Sequence, residues 1–397
     1  MPSINQFRGL NNVTDPVRLG AAWLRRADGV VITNSGALEQ RPGLQPAAPG
    51  AQFPFATQQG DRMLVAAGGF VQALHDSGEL QPLAPLSSAA RVSWSEINGE
   101  ITYCNGPDAG IVRADLSVIP LRWSMPAAPA LSVQAGGSLP GGLYRAVSTL
   151  LLPDGRETGA SPAAEIVLPA GSTLRVEPQG LQAGQGQQLV YLAPADSEVF
   201  QLLGAPTGPV LWDLSPDDLG QDCLGAGLWP LPAAATVIQH WQGRLFAGQA
   251  LADGNSAIWF SKPLAFHLFD TAADFFMVPG EVRMLAPHDA GLVVGTSKGL
   301  WAYSDGPLKQ LAPYGVPAGL PWARDEDGRI WIWSQRGICT ALPFANLTST
   351  TVSVPPGTDV HAHWCQHAGQ SHFIVSTAAD AVAGAFNPRS PIGGIVS

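Results

Sequence analysis

The sequence predicts an all-β protein, a β-propeller-like ring of short antiparallel blades with a β-sandwich inserted into it. Three observations lead there. Gly (45) and Pro (35) make up about one residue in five, a density that long helices cannot survive, because Pro lacks the amide donor and clashes with the preceding turn. A unit of β-branched or aromatic run, Gly-containing turn and second such run recurs along the chain. A stretch near the middle breaks that recurrence and is bounded on both sides by Pro-rich segments.

Taken in order, the runs are VVIT-NSG-ALEQ (30–40), MLVAAGGFVQALHDSGELQPL (63–83) and SWSEINGEITYCN (93–105). After the interruption come GLVVGTSKGLWAYSDGPLKQL (291–311) and WARDEDGRIWIWSQRGICTAL (322–342). Asn98-Gly99, Asp305-Gly306 and Asp327-Gly328 are dipeptides that supply positive φ at tight hairpins. Ile330 and Ile332 alternate with Trp331 and Trp333, so both faces of that strand are apolar, as in a strand buried between neighbouring sheets. Hairpins repeated every few tens of residues suggest radial repetition of small sheets, with six or seven blades. Only the stretch Val17–Asp28 has the Leu, Ala and Arg content of a helix.

The interruption covers 126–230, between MPAAPAL and LWPLPAAA. Tyr144–Leu151 and Leu189–Leu192 read as strands, with a turn at Asp154-Gly155. Arg156, Glu157, Ser161 and Pro162 match the corner, and Val190-Tyr191 with Phe200–Gly204 match the later strand, of a fibronectin type III module, which this segment resembles. Roughly 100 residues suits such a fibronectin type III/immunoglobulin-like sandwich. The expected organisation is an N-terminal lead and first blades (1–125), the inserted sandwich (126–230), and the remaining blades closing the ring (231–397). Insertion at an exposed loop tip is well tolerated.

Charge narrows the function. Charged residues are 13% of the chain, about half the usual share of roughly 25%; a surface that faces other subunits would account for that. The net charge is −10, with 18 Arg and three Lys. An acidic chain is ill suited to gripping nucleic acid but suits a wall past which DNA slides. Cys104, Cys223, Cys339 and Cys365 form no CxxC pair and read as free thiols in a reducing compartment. The start MPSINQFRGL lacks a basic segment followed by an apolar run, so no signal peptide is expected, and no apolar run approaches the roughly 18 residues of a membrane span.

Chemistry is sparse. In His361-Ala-His363-Trp-Cys365-Gln-His367, alternation would put the histidines and the cysteine on one face. His361 and His363 are the candidate metal-ligating pair, although a straight strand spreads its side chains too far for all four to reach one ion; a polar strand face fits the pattern better. Asp325, Glu326 and Asp327 lack the alternate spacing of a calcium loop and read as a solvated turn. His75-Asp76-Ser77-Gly78 places three triad residue types in one turn, whereas catalytic triads come from distant segments. No catalytic residue and no cofactor is expected.

The opening FRGLNNVTDPVRLG supplies Gly9, Leu10, Asn11, Asn12, Pro16 and Leu19. The following segment supplies Ala27-Asp28-Gly29, Ser35-Gly36, Leu38 and Arg41-Pro42-Gly43. This start resembles the tail nozzle or packaged-DNA stabilisation proteins of short-tailed bacteriophages, departing from them at Asp28-Gly29, where a plain Asn is commoner. HWQGRLFAG (240–248), AIWFSKPLAFHLFD (257–270) and LAPHDAGLVVGTSKGLWAYS (285–304) match further turns of that family, in order. The resemblance implies a non-enzymatic virion protein of the tail, assembled in the host bacterial cytoplasm. It implies a homo-oligomeric ring, a hexamer, below the head-to-tail adaptor ring, with tail fibre proteins as neighbours. DNA would pass through without specific binding, and there would be no membrane insertion. Phe7, Arg8, Leu10, Asn11, Pro16 and Leu19 are the interface candidates, since the lead Pro2–Leu19 is too polar and irregular to form a core. The rival expectations are a carbohydrate-binding or glycan-hydrolysing propeller, which would need exposed Trp with paired carboxylates, and a tail hub or baseplate component of a longer-tailed phage.

Overall fold

The computed structural model describes residues 6–27, 30–33, 35–40, 48, 50–180, 186–353, 355–367, 370–378 and 392–394. Apart from a 3-10 turn at Pro216–Asp218, every regular element among them is a β-strand. The chain divides into two compact units, one of Met1–Ile119, Ala234–Ile258 and Phe276–Ser397, the other of Pro120–Ala233 and Trp259–Phe275.

The first unit is propeller-like. Blade 1 is the meander Gln52–Ala56, Met63–Ala67, Phe70–Leu74 and Leu80–Pro85; blade 2 is Ser93–Ile97, Glu100–Cys104, Ala109–Val112 and Val118–Pro120. Blade 3 is built on Val237–Trp241, Arg244–Ala250 and the start of Asn255–Lys262; the end of that strand and its partner Ala265–Phe269 belong to the second unit. Blade 4 is Val282–His288, Gly291–Thr296, Leu300–Tyr303 and Lys309–Ala312, and blade 5 is Trp322–Arg324, Ile330–Ser334, Gly337–Ala341 and Ala345–Asn346. Blade 6 joins Gly319–Leu320, Thr358–His367, Gln370–Ala378 and Ile392–Gly394.

Blades 1 and 2, 4 and 5, and 5 and 6 pack through strand faces that are apolar where they meet. Leu64 and Val71 of blade 1 share a core with Ile101 and Val112 of blade 2. Blades 2 and 3 are held by polar contacts between first strands: Ile238 N donates to Ser93 Oγ at 3.0 Å, and His240 N to Ser95 Oγ at 2.8 Å. Trp241 of blade 3 meets Tyr303 of blade 4 edge-on, with ring centroids 6.1 Å apart. In blade 5, Ile330 and Ile332 pack with Met284, Val293 and Leu300 of blade 4. The alternate residues Trp331 and Trp333 pack with Val360, Phe373 and Val375 of blade 6. Phe53 of blade 1 stacks on His361 of blade 6 at 6.1 Å, closing the circuit. Six blades are thus present among the described residues.

Turn chemistry follows the sequence at Asn98 and Gly99, which take φ of 52° and 76° at the first hairpin of blade 2. The expected helix at Val17–Asp28 is not formed over its described part. Residues 16–18 make a turn, and Trp23–Leu24 is a short strand parallel to Gly9–Leu10. The lead captures the backbone that a helix would need: Arg8 N donates to Ala22 O at 2.8 Å and Asn11 N to Leu24 O at 2.7 Å.

The second unit contains a seven-stranded sandwich. One sheet orders Ala130–Leu139, Ser172–Glu177 and Val210–Trp212; the other orders Ala164–Leu168, Gly142–Leu151, Gln187–Ala193 and Gln201–Gly204. Tyr144, Leu174, Val176, Val190, Leu192 and Trp212 fill the space between them. The corner residues have structural work. Glu157 Oε1 accepts from Thr149 Oγ1 at 2.6 Å and Tyr191 Oη at 2.7 Å, and Ser161 Oγ accepts from Ser148 N at 3.0 Å.

Candidate functional site

The interface candidates lie along a lead fastened to its own chain. Phe7 is half-buried, and its N donates to Gly36 O at 2.8 Å. Gly36 has a φ of +82°, and an added Cβ would come within 3.1 Å of Phe7 N and O, so only Gly suits this turn. Leu10 pairs with Leu24, and buried Asn11 accepts from Thr14 N at 3.0 Å through Oδ1. Asn12 imitates a strand partner for the segment after blade 5. Its N donates to Thr351 O (3.0 Å) and its Nδ2 to Ser353 O (2.8 Å), while its Oδ1 accepts from Ser353 N (2.8 Å). Beyond this clamp Arg8 and Pro16 are exposed, Leu19 is half-buried, and Val17 is 93% exposed. Pro2–Asn5, Asp28-Gly29 and Arg41–Gly43 lie outside the described residues.

The histidine-rich strand is the second strand of blade 6, paired in parallel with Gly319–Leu320. His361 is turned inward onto Phe53 and His363 is exposed; the side chain of His367 lies outside the described residues. Cys365 is half-buried, and burial pushes its thiol up. Among the described residues no three His, Cys, Asp or Glu side chains gather where they could hold one metal ion. What His361 does meet is a charge cluster that sequence reasoning missed. Burial, reinforced by nearby Arg91, lowers its pKa to about 4, against an opposing pull from Asp359. Burial lowers Arg91 itself to about 10, again opposed by Asp359. Arg91 Nη1 and His361 Nδ1 are both buried with no hydrogen-bond partner among the described residues.

Backbone geometry singles out the same place. Phe53 and Asp359 have φ of 50° and 47°, and both lie within strands at register shifts, between Gln52 and Phe55 and between Thr358 and His361. Positive φ is an outlier for a bulky residue. Trp94 Nε1, donating to Phe53 O at 2.8 Å, helps hold it. A lone Arg in SAARVSW gave no signal. Nor did Phe53-Pro54, since a following Pro biases the residue before it to negative φ, opposite to what Phe53 adopts.

The turn His75–Gly78 borders a cleft of about 590 Å³ with Asp61, Arg62, Ala114 and Leu116. The imidazole of His75 pairs with Gln81 Oε1 at 3.1 Å, not with its neighbours in the turn. No described Phe, Tyr or Trp lines the cleft, so the stacking platform those side chains would offer a sugar is missing there. Asp325 closes its own hairpin, accepting from Arg329 N (2.7 Å) and Trp331 Nε1 (2.8 Å).

No protein-family model and no curated protein matches the chain. Among solved structures, it aligns with the extracellular domain of a hybrid two-component system from B. thetaiotaomicron at 11% identity and a TM-score of 0.31. That alignment covers 83% of this chain and 37% of the other, so the chain spans well under half of that protein's length. BBS1N, solved in complex with ARL6DN, aligns at 12% identity and a TM-score of 0.33, covering 83% and 89%. Kluyveromyces lactis Hsv2 aligns at 8% and 0.29, covering 82% and 89%. Likeness at this level assigns no function. No described helix is long and apolar enough to cross a membrane.

Proposed function

We propose that the chain is a structural, non-catalytic subunit of a bacteriophage tail. It forms a nozzle-type ring, a homo-hexamer below the head-to-tail adaptor, through which DNA leaves without specific binding. The observation that carries this reading is the lead. The residues that resemble the family's start are clamped to the propeller by Asn12, while Pro16 and Val17 stand in solvent. A lead fastened at Asn12, with Pro16 and Val17 exposed between Asp15 and Arg18, would meet a neighbour at a reduced ordering cost. The low charge content and the net charge of −10 fit packed subunit sides and a repulsive DNA path. Head-to-tail contacts of one patch with another would close such a ring.

The test is the mass of the full chain in solution by native mass spectrometry, over a concentration series, alone and with the tail adaptor. A closed ring in either setting supports the reading. A chain that stays monomeric in both overturns it.

A further inference from the structure

We propose that Arg91 and His361, at the junction of blades 1, 2 and 6, form a binding site for one small oxyanion, a phosphate or a carboxylate. The site does not depend on the tail reading. Two buried nitrogens, Arg91 Nη1 and His361 Nδ1, lack hydrogen-bond partners among the described residues, although a buried donor without a partner costs about 1–3 kcal/mol and more when charged. Such groups in native structures call for an explanation, an ion among them. Arg91 lies just before Ser93–Ile97, the first strand of blade 2, and His361 near the beginning of Thr358–His367.

The backbone around them is shaped for the purpose. Bulges re-aim side chains and gather beside functional sites, and strained φ persists only where the surroundings enforce it. Here bulges in two strands of different blades, each with a positive-φ residue, coincide at one cluster. The first places Phe53 as an apolar wall against the imidazole; the second lies between Thr358 and His361, in the strand that carries His361 itself, and contains Asp359.

An oxyanion would accept from Arg91 Nη1 and from protonated His361 Nδ1, charge-assisted contacts of the stronger kind. The charged groups acting on the imidazole are Arg91, which disfavours its protonation, and Asp359, which favours it. With Arg91 and Asp359 balancing, the site is neutral until the imidazole takes up a proton, so one proton enters with one anion. The bound histidine titrates above the free one. Affinity is therefore greatest below the free value of about 4 and is lost as pH rises through the bound pKa.

Isothermal titration of the full chain with inorganic phosphate, and separately with acetate, tests this at pH 5 and pH 7. Expected are saturable 1:1 binding of at least one of the two anions, tighter at pH 5, and a loss of about tenfold or more in Arg91→Gln. The two arms tell phosphate from carboxylate. His361→Gln should retain weak binding without the pH dependence. Asp359→Asn, at an exposed position, should bind more tightly, and it serves if Arg91→Gln fails to fold. No saturable binding of either anion by the natural chain overturns the proposal. So does affinity unchanged in the Arg91 variant or, where that variant does not fold, in the Asp359 variant.

Discussion

At the scale of single residues, Ser95 and His240 show how one hydroxyl can set a histidine's charge. Ser95 Oγ lies 2.8 Å from His240 N, 3.0 Å from Gln239 Nε2 and 3.0 Å from His240 Nδ1. The first two can only donate, so the serine's own hydrogen goes to Nδ1, which must then be an acceptor. Protonating that nitrogen would set donor against donor in a buried place. Burial lowers the His240 pKa to about 4 from 6.5. The depressed value means that the unfolded chain binds the proton more readily. The histidine's contribution to stability is complete above its ordinary pKa and is lost as pH falls towards 4. By linkage the loss between pH 7 and pH 5 amounts to about 2 kcal/mol. Urea unfolding at both values should show that drop, and His240→Asn should be less sensitive to acid by about that amount. An equal slope in the variant would place the acid sensitivity elsewhere.

At the scale of elements, the legible and the illegible parts separate by physical range. Blade 5 was readable because the alternation of Ile330 and Ile332 with Trp331 and Trp333 is local, and each set packs on a different neighbour. The Asn98-Gly99 turn was readable for the same reason. The segment 17–28 was misread, since its composition suits a helix while its hydrogen bonds are claimed by the lead more than ten residues upstream. The cluster of Phe53, Arg91, Asp359 and His361 was out of reach because it joins segments some 300 residues apart. Gly319 is another such long-range requirement. It pairs with Val360 in parallel at a φ of +131°, and an added Cβ would collide with the Val360 backbone N and O. Gly328 has a φ of +81°, yet nothing lies within 4 Å of an added Cβ. Both alanine variants carry the left-handed penalty of about 1–2 kcal/mol. Only Gly319→Ala adds a backbone collision, so it should cost about 2 kcal/mol more than Gly328→Ala. Denaturant midpoints for the pair measure the difference, and equal costs would mean that this parallel pairing within blade 6 yields easily.

At the scale of the whole molecule, fastening the lead and exposing it serve different ends, so they can be separated by substitution. Asn12 spends three hydrogen bonds joining the lead to the segment between blades 5 and 6, which holds the lead in place whether or not another copy is near. Val17 contributes nothing visible to that attachment, being 93% exposed. Surface substitutions away from packed features change stability by less than about 0.5 kcal/mol, so Val17→Asp should unfold with the natural chain. At a subunit contact the same change buries an unpaired carboxylate and adds repulsion to a chain already at −10, a cost of several kcal/mol at every contact of a closed ring. The expected outcome is normal folding with assembly abolished on the adaptor, read by native mass spectrometry. Asn12→Ala should weaken assembly less and lower stability more, because it frees the lead without making its tip repulsive. Rings that form unchanged from Val17→Asp would remove the lead from the contact and shift attention to the blade edges.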